Sequence, residues 1–398
     1  MIYLDHNATT PLCDAARAAM LPLLGEHFGN ASSVHAAGRE ARAAIDNARD
    51  QLASLLRAKP SELVFTSGGT ESNNLAILGL ARSRAARGKH LITAKTEHHA
   101  VLNAFEHLAK NEGFEVTWLN VSQSGLVDTG MLADAIRDDT ALVSIMHANN
   151  ETGVIQPLAE ISRICRKRGV LLHSDMVQSF GKICGMGFQP MGHRQDADAT
   201  LLVDAASFAA HKFYGPKGAG LLFLRNGLDL APMQYGGAHE NQRRPGTENV
   251  AAIAGMAAAA DSVLRDREAE QEREGKLRDQ LWQKIQSASA ILNGDGAPRL
   301  ANTLNVSLPN LDSETMLMAL DLAGVCASSG SACMVGSVVA SHVLLAMGLP
   351  PARAQSAIRF SLGQSTTDDE INATAEIVSR ILQRTNARRS EKKERVAF

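Results

Sequence analysis

Between residues 40 and 225, short apolar runs alternate with segments of helical period, and no other feature constrains this chain as strongly. The runs are Leu63-Val64-Phe65, Leu91-Ile92-Thr93, Val116 to Leu119, Leu142 to Met146, Val170 to His173 and Gly220 to Leu224. Strand-sized runs separated by helices predict a doubly wound α/β layer, because parallel neighbours need a crossover and a helix is its usual form. Ligands of such layers bind beyond the carboxyl ends of the strands, so chemistry is to be sought there. A chain of 398 residues exceeds one average domain. From Ala251 to about Gln286 it turns Ala-rich and then heavily charged, which predicts a long, partly solvated helix leaving the first domain. Beyond it, Thr303 to Leu308 and Ala357 to Leu362 alternate like half-buried strands and predict a smaller α+β domain. Arg388 to Arg395 has no apolar face and reads as a frayed tail.

Lys plus Arg is 40 and Asp plus Glu is 42, a formal charge of −2, so the chain carries no basic surplus for a nucleic-acid backbone. The five cysteines, Cys13, Cys165, Cys184, Cys326 and Cys333, are odd in number and scattered. Neither a disulfide framework nor a zinc site is indicated, and they read as cytosolic thiols. The first residues lack the basic flank and apolar core of a leader, and no run approaches the roughly 20 apolar residues of a membrane span. The expected address is the cytoplasm, without membrane or direct nucleic-acid partner.

Several segments at expected strand ends carry chemistry. Thr66-Ser67-Gly68-Gly69-Thr70 leads from an apolar run into a helical pattern and reads either as a phosphate cradle or as an ordinary glycine turn. Asp175, just after Val170 to His173, is either a buried carboxylate awaiting a cation or a helix cap. Lys212, on a strand-to-loop junction before Gly215-Pro216-Lys217-Gly218, is either a desolvated nucleophilic amine or a surface lysine beside a turn. Cys333 ends the small-residue run Ser328-Ser329-Gly330-Ser331-Ala332, which suits a thiol that must travel and equally a packed one. His98-His99 is poorly spaced for a metal, but an imidazole at a strand end can stack on a planar cofactor and move protons.

These pieces occur together in the order of a known family. Tyr3-Leu4-Asp5-His6-Asn7-Ala8-Thr9-Thr10-Pro11, Phe28 to His35, Gly69-Thr70, Thr96-Glu97-His98, His147 to Gly153, Asp175 with Gln178, His211-Lys212, Arg244 to Asn249, the Ser328 to Cys333 loop and Ile358 to Gly363 resemble the NifS/IscS-like cysteine desulfurases. The resemblance covers nearly the whole chain. It implies the pyridoxal-phosphate (PLP) dependent aspartate-aminotransferase-like fold, fold type I: a large domain over 15–255 with a mixed seven-stranded sheet, a small α+β domain from 1–14 and 256–385 that carries a mobile cysteine loop, and a disordered tail over 386–398.

The same resemblance implies roles. Lys212 would be the Schiff-base lysine and proton carrier, Asp175 the partner of the pyridinium nitrogen, and His98 a stacking and proton-relaying ring. Gln178 and Asn150 would address the phenolic oxygen, and Asn150 also the substrate. Gly69, Thr70 and His211 would hold the phosphate, with Thr247 reaching across from a second subunit of a homodimer. Arg359 would clamp the carboxylate of L-cysteine. Cys333 would take the sulfur as a persulfide, releasing L-alanine, and pass it to an iron–sulfur scaffold or another sulfur-acceptor protein. No resident metal is implied, although Cys333 would touch an iron–sulfur cluster transiently. Two other activities fit the same text: a selenocysteine lyase-like PLP enzyme, and a PLP-poor sulfur-relay scaffold.

Departures from the family pattern bear on the cofactor. Ala209 stands where a Ser or Thr phosphate ligand is usual, three residues before Lys212. Loss of a hydrogen bond to a charged group costs about 1.5–3 kcal/mol, unless Ser67, Ser207 or water compensates. Met176 replaces a small residue and is expected to crowd the ring. The Asp175–Lys212 separation is 37 residues (212 − 175), longer than the pattern, and the excess near Cys184 to Gln195 reads as an inserted surface loop.

Overall fold

The computed structural model describes residues 1–183, 202–286, 290–308, 311–330 and 340–396, with side chains as far as 385. Its strands are β1 (Ile2–Tyr3), β2 (Leu63–Thr66), β3 (His90–Ala94), β4 (Glu115–Leu119), β5 (Thr140–Ser144), β6 (Leu171–Asp175), β7 (Ala205–Ala209), β8 (Gly220–Leu224), β9 (Ile291–Leu292), β10 (Thr303–Ser307), β11 (Val325–Cys326) and β12 (Ala357–Ser361). The helices are α1 (Asp14–Leu24), α2 (Ala36–Leu56), α3 (Gly69–Arg84), α4 (His99–Glu112), α5 (Thr129–Ala135), α6 (Leu158–Arg168), α7 (Val250–Arg265), α8 (Arg267–Ile285), α9 (Ser313–Leu322), α10 (His342–Ala346), α11 (Pro351–Gln355) and α12 (Asp368–Val396).

All the expected runs are strands of one seven-stranded sheet of order β2-β8-β7-β6-β5-β3-β4. Only β8 runs against its neighbours β2 and β7, so the sheet is mixed. Its seventh member, β7, reads Ala-Ala-Ser-Phe-Ala, too small-sided to show a strand pattern by itself. Period-two alternation sends successive residues to opposite faces. Leu91, Leu142, Leu171 and Leu222 meet Leu75, Ile77, Val101 and Phe105 of α3 and α4. Their neighbours Ile92, Val143, Leu172 and Phe223 join Ile45, Leu52, Ile161 and Met256 of α2, α6 and α7 on the other face. Burial on both faces is why these strands read as continuous apolar runs.

A second, antiparallel sheet of order β12-β10-β9 packs Leu304, Val306, Ile358 and Phe360 against α8, α9 and α12, while β1 pairs in parallel with β11. The charged stretch is two helices rather than one, broken at Asp266 between α7 and α8. Ala259 and Val263 of α7 still belong to the large core, so the expected domain junction at 255 falls inside that helix. The tail also differs from expectation, since the backbone is helical to Val396. No Gly or Pro interrupts Asp368 to Val396, and its Ala, Arg, Lys and Glu are strong helix formers, so helix needs no apolar face there.

The N-terminal segment stitches the two parts together. His6 N donates to Ser361 O (3.1 Å) in β12, and Thr10 N donates to His211 O (2.9 Å) beside Lys212. Chain order thus separates the first ten residues from both partners, while space places them between the sheets.

Candidate active site

The strands β2, β3, β5, β6 and β7 end at one edge of the large sheet, and each delivers side chains there. After β2 the chain enters α3 through Gly68, an N-cap without a side chain to occupy the first-turn N–H groups. The turn lies hard against β8: a Cβ on Gly220 would stand 2.5 Å from the Cα of Gly68. Bare N–H groups and the positive end of the helix dipole make an anion site.

Asp175 ends β6, is 5% exposed, and accepts from Asn73 Nδ2 at 2.6 Å and from Val177 N at 2.9 Å. Past β7, a single 3-10 turn (Ala210–Lys212) aims Lys212 at the N-terminal segment, where Nζ donates to the carbonyls of Asn7 and Ala8, each at 2.7 Å. His211 approaches Thr9 Oγ1 at 3.2 Å. Burial foremost, then the charges of Lys212, Lys217 and Lys182, pushes its pKa down to about 4.

His98 caps α4, and its Nδ1 accepts from Ala100 N at 3.1 Å, which leaves the proton of the neutral ring on Nε2. Burial lowers its pKa; Asp175 opposes this, while Lys212, His99 and His342 add to it. A neutral ring can lie over a cationic pyridinium without repulsion. The turn after β5 is held by Asn149, whose Oδ1 accepts from the N–H groups of Glu151 and Thr152 at 2.9 Å each, and this presents Asn150. From the second sheet, Arg359 (3% exposed) donates Nη2 to Asp5 Oδ1 at 2.7 Å and Nη1 to Asn150 O at 3.0 Å. Its buried Nε has no acceptor among the described residues.

Gly69, Thr70, His98, Asn150, Asp175, Gln178, His211, Lys212 and Arg359 thus line one cavity of about 310 Å³. Thr247 does not. It lies with Ser67, Gly218 and Arg244 in a separate cleft of the same chain. Cys333 and the Cys184 to Gln195 segment lie outside the described residues, although Gly330, on the near side of the cysteine loop, is part of the cavity wall.

Two expectations about the ring pocket are corrected. Met176 does not crowd it: the side chain is fully buried in the large core with Phe180 and Phe208, and the next residue, Val177, faces the cavity instead. Ser207 does not stand in for the hydroxyl missing at Ala209: it shares that residue's face of β7 but sits two residues deeper in the sheet, fully buried, with its hydroxyl 3.0 Å from His173 Nε2. Ser67 lines the Thr247 cleft rather than the cavity. Ala209 itself is in the cavity wall.

Four positioning residues escaped the sequence reading. Asn73 holds Asp175, Asp5 holds Arg359, and the backbone of Asn7 holds Lys212. Lys182 donates to Gln178 Oε1 at 2.9 Å, and the i,i+4 spacing from Gln178 was the one signal available for it.

Residues 2–374 match the profile of the family described as Aminotransferase class-V. A protein named cysteine desulfurase IscS from Dictyoglomus turgidum is 45% identical over 385 residues, spanning 96% of this chain and 95% of that protein. One of the same name from Methanosarcina thermophila is 41% identical over 384 residues, 96% of this chain and 92% of the other. A solved structure described as a NifS-like protein superposes with a TM-score of 0.86 at 35% identity, covering 96% of this chain and 99% of that one. Another, described as SspA in complex with cysteine, gives 0.78 at 34% identity over 91% and 99%.

The chain belongs to the class-V aminotransferase family, PLP-dependent enzymes of fold type I. Its relatives within that family are cysteine desulfurases. The residues present fit PLP: an uncapped helix N-terminus for the phosphate, a buried carboxylate for the ring nitrogen, and Lys212 for the aldehyde.

Proposed function

We propose that the protein is a cysteine desulfurase that moves the sulfur of L-cysteine onto Cys333 and releases L-alanine. The observation that carries this is one cavity holding Lys212 and Asp175 from the large sheet and the buried Arg359 from the small one. Bound PLP supplies an electron sink for bonds broken at the substrate's Cα and Cβ. Asp175, fixed by Asn73 and Val177, keeps the ring nitrogen protonated and so preserves that sink.

Arg359 binds the substrate carboxylate. Asp5 and the Asn150 carbonyl orient its guanidinium, and its unpartnered Nε needs an acceptor. Lys212 Nζ, released from the Asn7 and Ala8 carbonyls, takes and returns the Cα proton. His98, neutral with its proton on Nε2, has a proton to offer to sulfur or carbon. The Cys333 thiolate attacks the substrate sulfur: a sulfur–sulfur bond forms, the carbon–sulfur bond breaks, and its electron pair stays on Cβ and takes up a proton. The balance is cysteine plus thiol to alanine plus persulfide, with no external oxidant.

The active unit in this reading is a homodimer. Thr247 sits away from its own cavity, and Leu21, Leu24, Phe28, Val34 and Tyr235 are exposed large apolar side chains that a second copy would cover. We further assign the chain from 15 to the end of α7 to a large domain and 1–14 with the chain from α8 to 385 to a small one, a cytoplasmic location, and a protein acceptor such as an iron–sulfur scaffold. Among the described residues no helix is long and apolar enough to cross a membrane.

The test is a single reaction tube: the purified chain with PLP, L-cysteine and a reducing dithiol that frees sulfide from the persulfide, with alanine and sulfide quantified together. Equal yields, both abolished in Cys333→Ser, are expected. Sulfide release that survives this substitution overturns the persulfide step in favour of simple elimination.

A further inference from the structure

Lys182 is a charged residue beside the site to which the reaction gives no task. It follows β6 by two tight turns, four residues after Gln178, and its Nζ donates to Gln178 Oε1 at 2.9 Å and Asn7 Oδ1 at 3.1 Å. Gln178 Nε2 in turn donates to Asn7 O at 2.9 Å, the same carbonyl that accepts from Lys212 Nζ at 2.7 Å. Asn7 is fully engaged, since its Oδ1 also accepts from Asn302 Nδ2 at 3.1 Å and its Nδ2 donates to Thr303 Oγ1 at 2.9 Å.

We infer that Lys182 is a positioning residue: by occupying the carbonyl end of Gln178 it turns that amide's N–H end toward the cofactor's phenolic oxygen, and it places a second positive charge in the network that holds Lys212. The inference rests on the proposed PLP chemistry and adds a residue to it.

The amide has two ends, and an ammonium group can only donate. With Oε1 taken by Lys182, the cavity-lining end of Gln178 is its NH2, of which Asn7 O takes one hydrogen. A donor aimed at the phenolic oxygen stabilises that oxygen as an anion and weakens its hold on a proton shared with the lysine nitrogen. A like charge in the same network disfavours protonation of that nitrogen as well. Both effects lower the pH at which the cofactor-bound lysine nitrogen loses its proton.

Charged and titratable groups face Lys182 from every element around it. Glu274 of α8 opposes it, with Glu270 and Arg273 behind, while Lys212, His211, His6 and Arg359 face it from the site side. Loss of solvation lowers the Lys182 pKa and raises that of Glu274, the expected directions for a desolvated pair. A cavity of about 30 Å³ behind Lys212, lined by His6, Lys182, Tyr214 and Glu274, has room for about two waters. Lys182 therefore stands between that small cavity and Gln178 in the cofactor cavity wall.

The experiment is a pH titration of the visible absorbance of the PLP-loaded protein, wild type against Lys182→Met, with the PLP dissociation constant measured alongside. The expected result is an upward shift of the absorbance midpoint by about one unit, with kcat reduced and KM for cysteine little changed. Lys182→Arg, which keeps charge and donors, should bring the midpoint back toward wild type. A merely structural role would weaken PLP binding and leave the midpoint in place. Lys182→Gln, which loses the charge but keeps a donor, should give part of the shift and serves if Lys182→Met does not fold. A wild-type midpoint in a loaded, folded Lys182→Met or Lys182→Gln protein overturns this inference alone. A wild-type chain that takes up no PLP overturns the proposed function and the inference with it.

Discussion

Ala209→Ser adds one hydroxyl where the structure shows a gap, and its consequence can be worked out. Ala209 is in the cavity wall, and a Cβ built on Gly69 would come within 3.5 Å of the Ala209 Cβ. A hydroxyl at 209 therefore stands at the first turn of α3, where the helix offers N–H groups to a phosphate. A hydrogen bond to a charged group contributes about 1.5–3 kcal/mol, and each 1.4 kcal/mol is tenfold in affinity. PLP should bind Ala209→Ser roughly ten- to a hundredfold more tightly than wild type. Without cofactor the hydroxyl faces a polar cavity of about 310 Å³ with room for water, so the apoprotein should melt near the wild-type temperature while the gain on adding PLP widens. The assay is a PLP titration of dialysed protein, followed by cofactor absorbance, with thermal unfolding of both forms. Equal or weaker PLP binding by a folded Ala209→Ser would refute the placement of the phosphate at α3.

Two further outcomes follow from the geometry. Gly220→Ala would drive a Cβ to 2.5 Å from Gly68 Cα, a backbone collision at the phosphate turn, so it should cost about 1–3 kcal/mol and weaken PLP uptake, whereas Gly275→Ala inside α8, with its nearest neighbour at 3.9 Å, should stabilise by about 0.5–1 kcal/mol; urea midpoints decide both. Burial lowers the His147 pKa to about 4, below the ordinary 6.5, so the unfolded chain binds the extra proton: stability is full above about pH 6.5 and falls as the pH drops toward 4, by about 3 kcal/mol for this residue. His147→Gln should flatten the stability–pH curve over that window, and an unchanged slope would show that other groups carry the acid sensitivity.

How much of this was legible in the sequence depended on whether the determining contact was local. Five of the six apolar runs are strands buried on both faces, and burial writes itself into residue type, while the sixth, in the edge strand β4, is only half-buried. β7 shows in the sequence only as the strand-to-loop junction before Lys212, because Ala, Ser and Ala satisfy a narrow interior without looking apolar, and the tail, expected to fray, has a helical backbone to Val396 because propensity acts without an apolar face. Lys212, Asp175 and His98 stand out in the sequence by their place at strand ends, each with an ordinary reading beside it, whereas Gln178, Asn150, His211 and Arg359 come only from the family resemblance. The supports of these residues are not legible: Asp5 holds Arg359 across 354 residues of chain, and Asn7 meets Lys212 across 205, so no window of sequence contains both partners. Met176 shows the converse error. Counting positions placed a bulky side chain beside the ring, but period-two alternation continues one residue past Asp175 and buries Met176 while Val177 turns to the cavity. Asp5 through Thr10 therefore acts as a third wall of the site: it hydrogen-bonds both β12, which carries Arg359, and the turn that carries Lys212. Strain or displacement in that segment moves the carboxylate clamp and the lysine together, which is why its supporting residues belong to the chemistry although none of them performs it.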